Sequence, residues 1–113
     1  MSFGLVFYTN LFVPKRFAGI TLGFIILIRP EHKNSKDIIA HEWVHVRQFW
    51  KNPLFPILYL LSPKFRLKSE VEAYRESIAT IGKQHARAFA RHLSSGYKLD
   101  ISPEEALRLL TEE

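Results

Sequence analysis

The segment NSKDIIAHEWVHVRQFWK, residues 34–51, decides how this chain folds. Its apolar and histidine side chains recur at helical spacing: Ile38, His41, His45 and Phe49. Asn34 or Ser35 can cap the first turn, and Asn52-Pro53 follows the last periodic residue. The segment therefore predicts a single helix that carries the sequence His-Glu-Trp-Val-His.

Two histidines four residues apart, His41 and His45, lie on one face of such a helix. Both imidazoles can then reach one tetrahedral ion held about 2 Å from each nitrogen. Glu42 follows the first histidine, where its carboxylate can touch a metal-bound water without being a ligand. The pattern predicts one zinc ion per chain, with His41 and His45 as ligands and Glu42 as the general base.

The third ligand must be a histidine or a carboxylate, because the chain has no cysteine. A long helix is predicted from about Ser69 to His92, and it carries Glu70, Glu72 and Glu76. Glu70 shares a face with the residues expected to be buried: Ala73, Tyr74, Ser77, Ile78 and Ile81. Glu72 lies on a polar side and can form a capping box with Ser69. A metal ion would offset the cost of burying a carboxylate, so Glu70 is favoured over Glu72 and Glu76.

The expected fold class is α+β, with a small N-terminal β-sheet, the active-site helix, the glutamate-bearing helix and a short C-terminal helix. Residues 3–8 predict a first strand, and residues 20–28 predict one strand or two strands that meet near Gly23. Residues 53–63 contain three prolines and predict a packed loop with a short helical piece.

The C-terminal part of the chain carries clear stop and start signals. Ser94-Ser95-Gly96 should end the long helix. Ser102 as N-cap, Pro103 at the first helical position and Glu105 three residues after the cap predict a capping box. A last helix is expected from Pro103 to about Leu110.

Length and composition indicate one domain, residues 1–113, of ordinary globular character. The longest apolar run covers residues 17–28, short of the roughly 20 residues that span a membrane, so a soluble, cytoplasmic protein without a membrane span is expected. The net charge is +5, but lysine and arginine are scattered, so no nucleic-acid partner is expected. A basic binding module with Arg87, Arg91 and His92 on one helix is kept as an alternative.

The sequence His41-Glu-Trp-Val-His45, followed after 25 residues by Glu70-Val-Glu-Ala-Tyr, resembles the gluzincin clan of zinc peptidases. In size and in the absence of other domains the chain is most similar to the minigluzincins, which are minimal soluble metallopeptidases. The resemblance covers roughly residues 36–80 and implies that His41, His45 and Glu70 are the zinc ligands and Glu42 the base. The chain departs from related sequences four residues after Glu70. It has Tyr74 at this position, where related sequences often have an aspartate that can hold a ligand histidine.

The chemistry implied is hydrolysis of a peptide bond in a peptide or protein substrate. A second group that stabilises the oxyanion is not singled out, and the candidates are Tyr59, Tyr74, His85, His92 and Tyr97. The strand at residues 20–28 can bind substrate along its edge, or can simply be a core strand.

The resemblance also implies a latent zymogen, blocked by its C-terminal segment, residues 94–113. Exchange of the C-terminal helix between two chains would give a homodimer. The alternative is an ordinary helix that closes the core. A non-catalytic, zinc-stabilised domain is the remaining alternative for the whole chain.

Overall fold

A computed structural model describes residues 3–112 of the chain. In this range a three-stranded sheet precedes five α-helices, which confirms the predicted α+β class. The strands are β1 (Leu5–Tyr8), β2 (Gly19–Leu22) and β3 (Ile25–Ile28). The helices are α1 (Lys36–Lys51), α2 (Phe55–Leu61), α3 (Pro63–Ile81), α4 (Ala86–Gly96) and α5 (Pro103–Thr111). No helix in this range has the length and apolar character needed to cross a membrane.

The strand order of the sheet is β1-β3-β2, which leaves β2 at one edge. β1 is parallel to β3 and β2 is antiparallel to it, with Leu22 opposite Ile25. The turn between β2 and β3 therefore contains two residues, and the first of them, Gly23, has a φ of 65°. Such a turn needs a residue that tolerates positive φ, and this explains why residues 20–28 form two strands rather than one.

The sheet packs its inner face against α1. Ile26 and Ile28 from β3 and Val46 from α1 are completely buried there. Partly buried residues complete the contact: Val6, Ile38 and Trp43. α1 also packs against α3, and His41 and His45 both contact Glu70 of that helix.

The predicted helix from Ser69 to His92 is wrong in its start and in its continuity, whereas the predicted stop at Ser94-Ser95-Gly96 coincides with the end of α4 at Gly96. α3 begins at Pro63, where the Ser62 hydroxyl accepts a hydrogen bond from the Phe65 N–H at 3.2 Å. It ends at Gly82, whose φ of 107° favours glycine and separates α3 from α4. Ser69 is therefore a buried residue inside α3, and the predicted capping box with Glu72 does not exist.

The last helix begins as the sequence predicts. The Ser102 hydroxyl accepts a hydrogen bond from the Glu105 N–H at 3.1 Å, and Pro103 occupies the first turn. The Glu105 carboxylate pairs with Arg108 instead of returning to the cap. The cap is confirmed, although the reciprocal half of the capping box is replaced by an ion pair within α5.

α5 packs against α3 and α4 in the larger of the two hydrophobic clusters. Ala106 and Leu110 from α5 are buried there. The cluster also contains Tyr74, Ile78, Ala86, Ala90, Leu93 and Leu99. The Arg75 guanidinium fastens the end of the helix by donating to the Leu109 carbonyl at 2.7 Å. In this structure α5 closes the core, as the ordinary-packing alternative requires.

Candidate metal centre

The contact between α1 and α3 brings three ligand-type side chains together. His41 and His45 come from α1 and Glu70 from α3, and their exposed fractions are 6%, 7% and 2%. The distance from Glu70 Oε1 to His41 Nε2 is 3.0 Å, and to His45 Nε2 it is 3.2 Å. One donor atom of each residue lies within 4.8 Å of the others, so the group can hold a metal ion.

The spacing of these donor atoms can be compared with what a metal ion requires. An ion with bonds of 2.0–2.1 Å in tetrahedral geometry separates its ligand atoms by about 3.3 Å. The separations of 3.0 and 3.2 Å are close to this value. A buried carboxylate facing two imidazole nitrogens is also a costly arrangement unless a cation or a proton lies between them. Geometry and electrostatics therefore both fit a bound cation.

The two alternative carboxylates lie elsewhere. Glu72 and Glu76 are both exposed, as expected for the polar side of α3, and neither belongs to the cluster. The Glu72 carboxylate instead accepts a hydrogen bond from the Gln48 amide at 2.6 Å. Glu70 therefore lies on the buried face of α3 and Glu72 and Glu76 on its exposed side, as the sequence predicts.

Gln48 fixes the orientation of His45. The Gln48 amide nitrogen donates to the Ser69 carbonyl at 3.1 Å and to Glu72, so its amide oxygen must face the other way. That oxygen lies 2.8 Å from His45 Nδ1, which must therefore carry a proton and donate. The Nε2 lone pair of neutral His45 is then free to bind a metal ion. Sequence analysis missed this role, although a spacing of three residues on one helix was a usable signal.

Replacing Gln48 with alanine is expected to weaken metal binding by about 10–100-fold, the range typical of lost outer hydrogen bonds to ligand histidines. The variant leaves all three ligands in place but releases the His45 ring. Competition with a chromophoric chelator measures the affinity. Gln84→Ala is the matched control, because Gln84 is exposed and bonds only to the nearby Ile81 carbonyl among the described residues. Equal affinities for the two variants would remove the positioning role of Gln48.

Glu42 lies beside the cluster without joining it. The Thr21 hydroxyl on β2 is 2.7 Å from Glu42 Oε1 and 3.2 Å from the Glu42 backbone carbonyl. This contact anchors the carboxylate, which is otherwise buried next to the histidines. Sequence analysis missed Thr21, because 21 residues separate it from Glu42 and no local pattern links them.

Three of the five candidate oxyanion donors surround the cluster. The Tyr59 hydroxyl donates to Glu70 Oε2, and burial together with the Glu70 charge raises the Tyr59 pKa, so the hydroxyl stays protonated. The Tyr74 hydroxyl does not bond to either histidine of the cluster. Its ring packs edge-on against His41, with 4.3 Å between centroids, and its hydroxyl lies 2.8 Å from that of Tyr97. Tyr74 therefore holds His41 by packing, not by the hydrogen bond that an aspartate would supply.

The cluster opens into a cleft of about 330 Å³. Its walls come from the edge strand β2, from α1 and α2, and from Tyr97. A second cavity of about 260 Å³ lies beside His41, and Tyr74, Ser77, His92 and Tyr97 contribute to its lining. From residues 94–113, the segment expected to block a latent enzyme, Tyr97 reaches the cleft, whereas α5 lies in the core.

The charged groups of the cluster shift the pKa values of His45 and Glu70 in opposite directions. Burial lowers the pKa of His45, but the charge and hydrogen bond of Glu70, with the charge of Glu42, outweigh burial and raise it to about 9. Burial raises the pKa of Glu70, but His45 and His41 outweigh it and hold that pKa well below its usual range. The metal-free site therefore carries a proton between His45 and Glu70 at neutral pH.

Metal affinity is expected to rise with pH, because the ion must displace this proton. Between pH 6.5 and about 9 the increase should be about tenfold per unit, and it should level off above that range. The same raised pKa stabilises the metal-free protein fully below pH 6.5, and this stability is lost as the pH rises through about 9. Chelator competition at several pH values measures the affinity. A flat profile between pH 7 and 9 would contradict the shift.

No protein-family model, curated protein or solved structure matches the chain. The assignment of a function therefore rests on the residues and the geometry of the site.

Proposed function

We propose that this chain is a zinc-dependent metallopeptidase of the gluzincin type, similar to the minigluzincins. One observation carries the proposal: a buried cluster of His41, His45 and Glu70 lies at the base of a cleft, with the Glu42 carboxylate anchored beside it. Two histidines and a glutamate are the ligand set of one class of catalytic zinc site.

The number of protein ligands favours a catalytic role over a structural one. Structural zinc sites are usually closed by four protein ligands, whereas catalytic sites have three and keep one position open. Within residues 3–112 the cluster contains three ligand-type residues. The cleft beside it gives a substrate access to the remaining position. In a purely structural site, the Glu42 carboxylate that Thr21 holds beside the cluster would have no chemical role.

Zinc bound here would supply a Lewis acid that activates a water molecule and polarises the scissile carbonyl. Glu42 takes the proton from the water and returns it to the leaving amine. The Thr21 hydroxyl keeps the Glu42 carboxylate in one orientation for both proton transfers. Tyr59 supports Glu70 through the second carboxylate oxygen, Oε2, and remains an O–H donor at neutral pH.

The substrate would bind in an extended conformation along β2. This strand is at the edge of the sheet, so its outer backbone groups are free to pair with another strand. The cleft beside β2 is lined largely by apolar residues: Ile20, Leu22, Phe49, Phe55 and Leu60. Peptides with large apolar side chains near the scissile bond should therefore be preferred.

Two further proposals follow from the family resemblance, namely latency through residues 94–113 and a homodimer formed by exchange of α5. In an exchanged dimer, the contacts that α5 makes here with α3 and α4 would be made with the partner chain.

The experiment that tests the proposed function is a cleavage assay with casein and a mixed peptide library. The zinc-loaded protein should cleave, the protein treated with a chelator should not, and added zinc should restore cleavage. Cleavage that persists unchanged after complete removal of metal would overturn the proposal.

A further inference from the structure

Basic residues are concentrated in one stretch of the chain, between the second ligand histidine and the ligand glutamate. Residues 43–69 contain Arg47, Lys51, Lys64, Arg66 and Lys68 and no aspartate or glutamate. The stretch therefore carries a charge of +5, which equals the net charge of the whole chain (16 basic minus 11 acidic residues). Outside it, acidic and basic residues balance.

The same stretch contains an exposed apolar face on α2, the helix FPILYLL. Its exposed aliphatic residues, each with an exposed fraction between 56% and 77%, are Leu54, Ile57, Leu60 and Leu61. Pro53, Pro56 and Pro63 are also exposed. A run of protruding aliphatic side chains without a charge among them is unusual for a surface helix and marks an interaction site.

Exposed lysines flank this apolar face along the chain. Lys51 ends α1 just before it, and Lys64 and Lys68 lie in the first turns of α3 just after it, all three exposed. Arg66 is engaged differently, since its guanidinium donates to the Tyr59 and Tyr97 carbonyls at 2.7 and 2.8 Å. Within residues 3–112 none of the three lysines makes an ion pair, so they form a basic rim that is available to a partner.

We propose that this α2 face, defined as residues 51–68, binds to the surface of an anionic lipid membrane. Protruding aliphatic side chains insert between lipid tails, while surrounding lysines are attracted to negatively charged headgroups. A peptide partner would call for a groove. Of the four exposed aliphatic side chains only Leu60 lines the cleft, whereas Leu54, Ile57 and Leu61 are exposed outside it. A second copy of the chain would bring two basic rims together, and like charges disfavour that contact.

Binding through this face would have a consequence for the cleft. The inner side of α2 contributes Phe55 and Tyr59 to the cleft lining, while the outer side carries Ile57 and Leu61. A protein held by the outer side would keep its cleft beside the lipid surface. The proposed membrane binding does not depend on the metal or on peptidase activity, so either can fail without the other.

Sedimentation of the full chain with lipid vesicles tests the proposal. Vesicles of phosphatidylcholine mixed with phosphatidylglycerol should bind the protein, and vesicles of phosphatidylcholine alone should bind at least about tenfold more weakly. High salt should weaken the binding to anionic vesicles, because it screens the lysines. Equal binding to both kinds of vesicle, or none to either, would overturn the proposal.

Paired variants locate the surface. Ile57→Glu combined with Leu61→Glu should weaken vesicle binding by about tenfold or more, because two inserting side chains become charged. Leu11→Glu is the matched control, since Leu11 is also exposed but lies outside residues 51–68. Leu11 follows β1, at the end of the sheet opposite the Gly23 turn. Lys51→Glu and Lys64→Glu test the basic rim and should also weaken vesicle binding, with Lys83→Glu as their control. Circular dichroism confirms the fold of each variant.

The outcomes separate the partners. Loss of vesicle binding in the α2 variants but not in the controls supports the proposal. Undiminished vesicle binding by folded α2 variants would overturn it. A dimer in solution that these variants dissociate, with no vesicle binding by the wild type, would instead assign the face to a second copy of the chain.

Discussion

Replacing Glu42 with glutamine is expected to lower the rate of peptide hydrolysis by about 100–10,000-fold, the range that general acid–base catalysis contributes. The change keeps the size and the hydrogen-bonding oxygen of the side chain but removes its ability to take a proton. The Thr21 hydroxyl, now 2.7 Å from Glu42 Oε1, can still donate to the amide oxygen. The cleavage assay described above measures the rate.

A lower rate identifies Glu42 as the base only if the Glu42→Gln variant keeps the fold and the metal content of the wild type. Because Glu42 is not one of the three clustered ligands, the variant should bind zinc as the wild type does. Glu76→Gln is the matched control, since Glu76 is an exposed carboxylate on α3. If Glu42→Gln lost its zinc, Glu42 would be a ligand, and if it cleaved as fast as the wild type, it would not be the base.

Glu70→Ala should lower zinc affinity by more than the roughly 10–100-fold that is typical of a lost outer hydrogen bond. The substitution removes the only carboxylate among the three clustered residues and leaves two histidines to hold the ion. Glu72→Ala removes a carboxylate two residues away that bonds to Gln48, so its effect should stay within the range of an outer partner. Metal content after dialysis, followed by chelator competition, compares the two variants.

The opposite order of affinities would contradict the assignment of the third ligand. A Glu72→Ala variant that loses its zinc while Glu70→Ala keeps it would place the ion elsewhere on α3. Circular dichroism of both metal-free variants provides the control for folding. The comparison also bears on the pKa argument, since Glu70→Ala removes the charge that raises the pKa of His45.

The candidate site was predicted largely from local sequence pattern. A spacing of four residues places His41 and His45 on one helical face, and the buried stripe of α3 contains Glu70 but not Glu72. Both inferences depend only on helical periodicity. They hold although the predicted start of α3 was wrong, because a helix keeps its faces wherever it begins.

The errors have a physical cause in proline and glycine. The three prolines between residues 53 and 63 indicated a packed loop with a short helical piece, and α2 is that helical piece. The start of α3 at Pro63 was missed, because proline is also favoured in the first turn of a helix. Pro56 and Pro63 occupy that position in α2 and α3. Gly82 lies inside a sequence with continuous helical periodicity, and only its positive φ shows that the helix ends there.

The residues that support the site were not predictable in the same way. Thr21 reaches Glu42 from a different element, and the contact exists only because β2 packs beside α1. Tyr59 reaches Glu70 only because α2 folds back over the cluster. Such contacts depend on the packing of elements distant in the chain, which residue spacing along one helix does not encode.

The coordination of the metal tests the central claim most directly, namely that His41, His45 and Glu70 hold a catalytic zinc ion. Metal analysis of the purified protein combined with X-ray absorption at the zinc edge gives both the stoichiometry and the ligand set. The account predicts one zinc per chain bound by two imidazole nitrogens and one carboxylate, with a remaining position taken by a non-protein ligand. A protein that binds no zinc, or a site closed by four protein ligands, would contradict it.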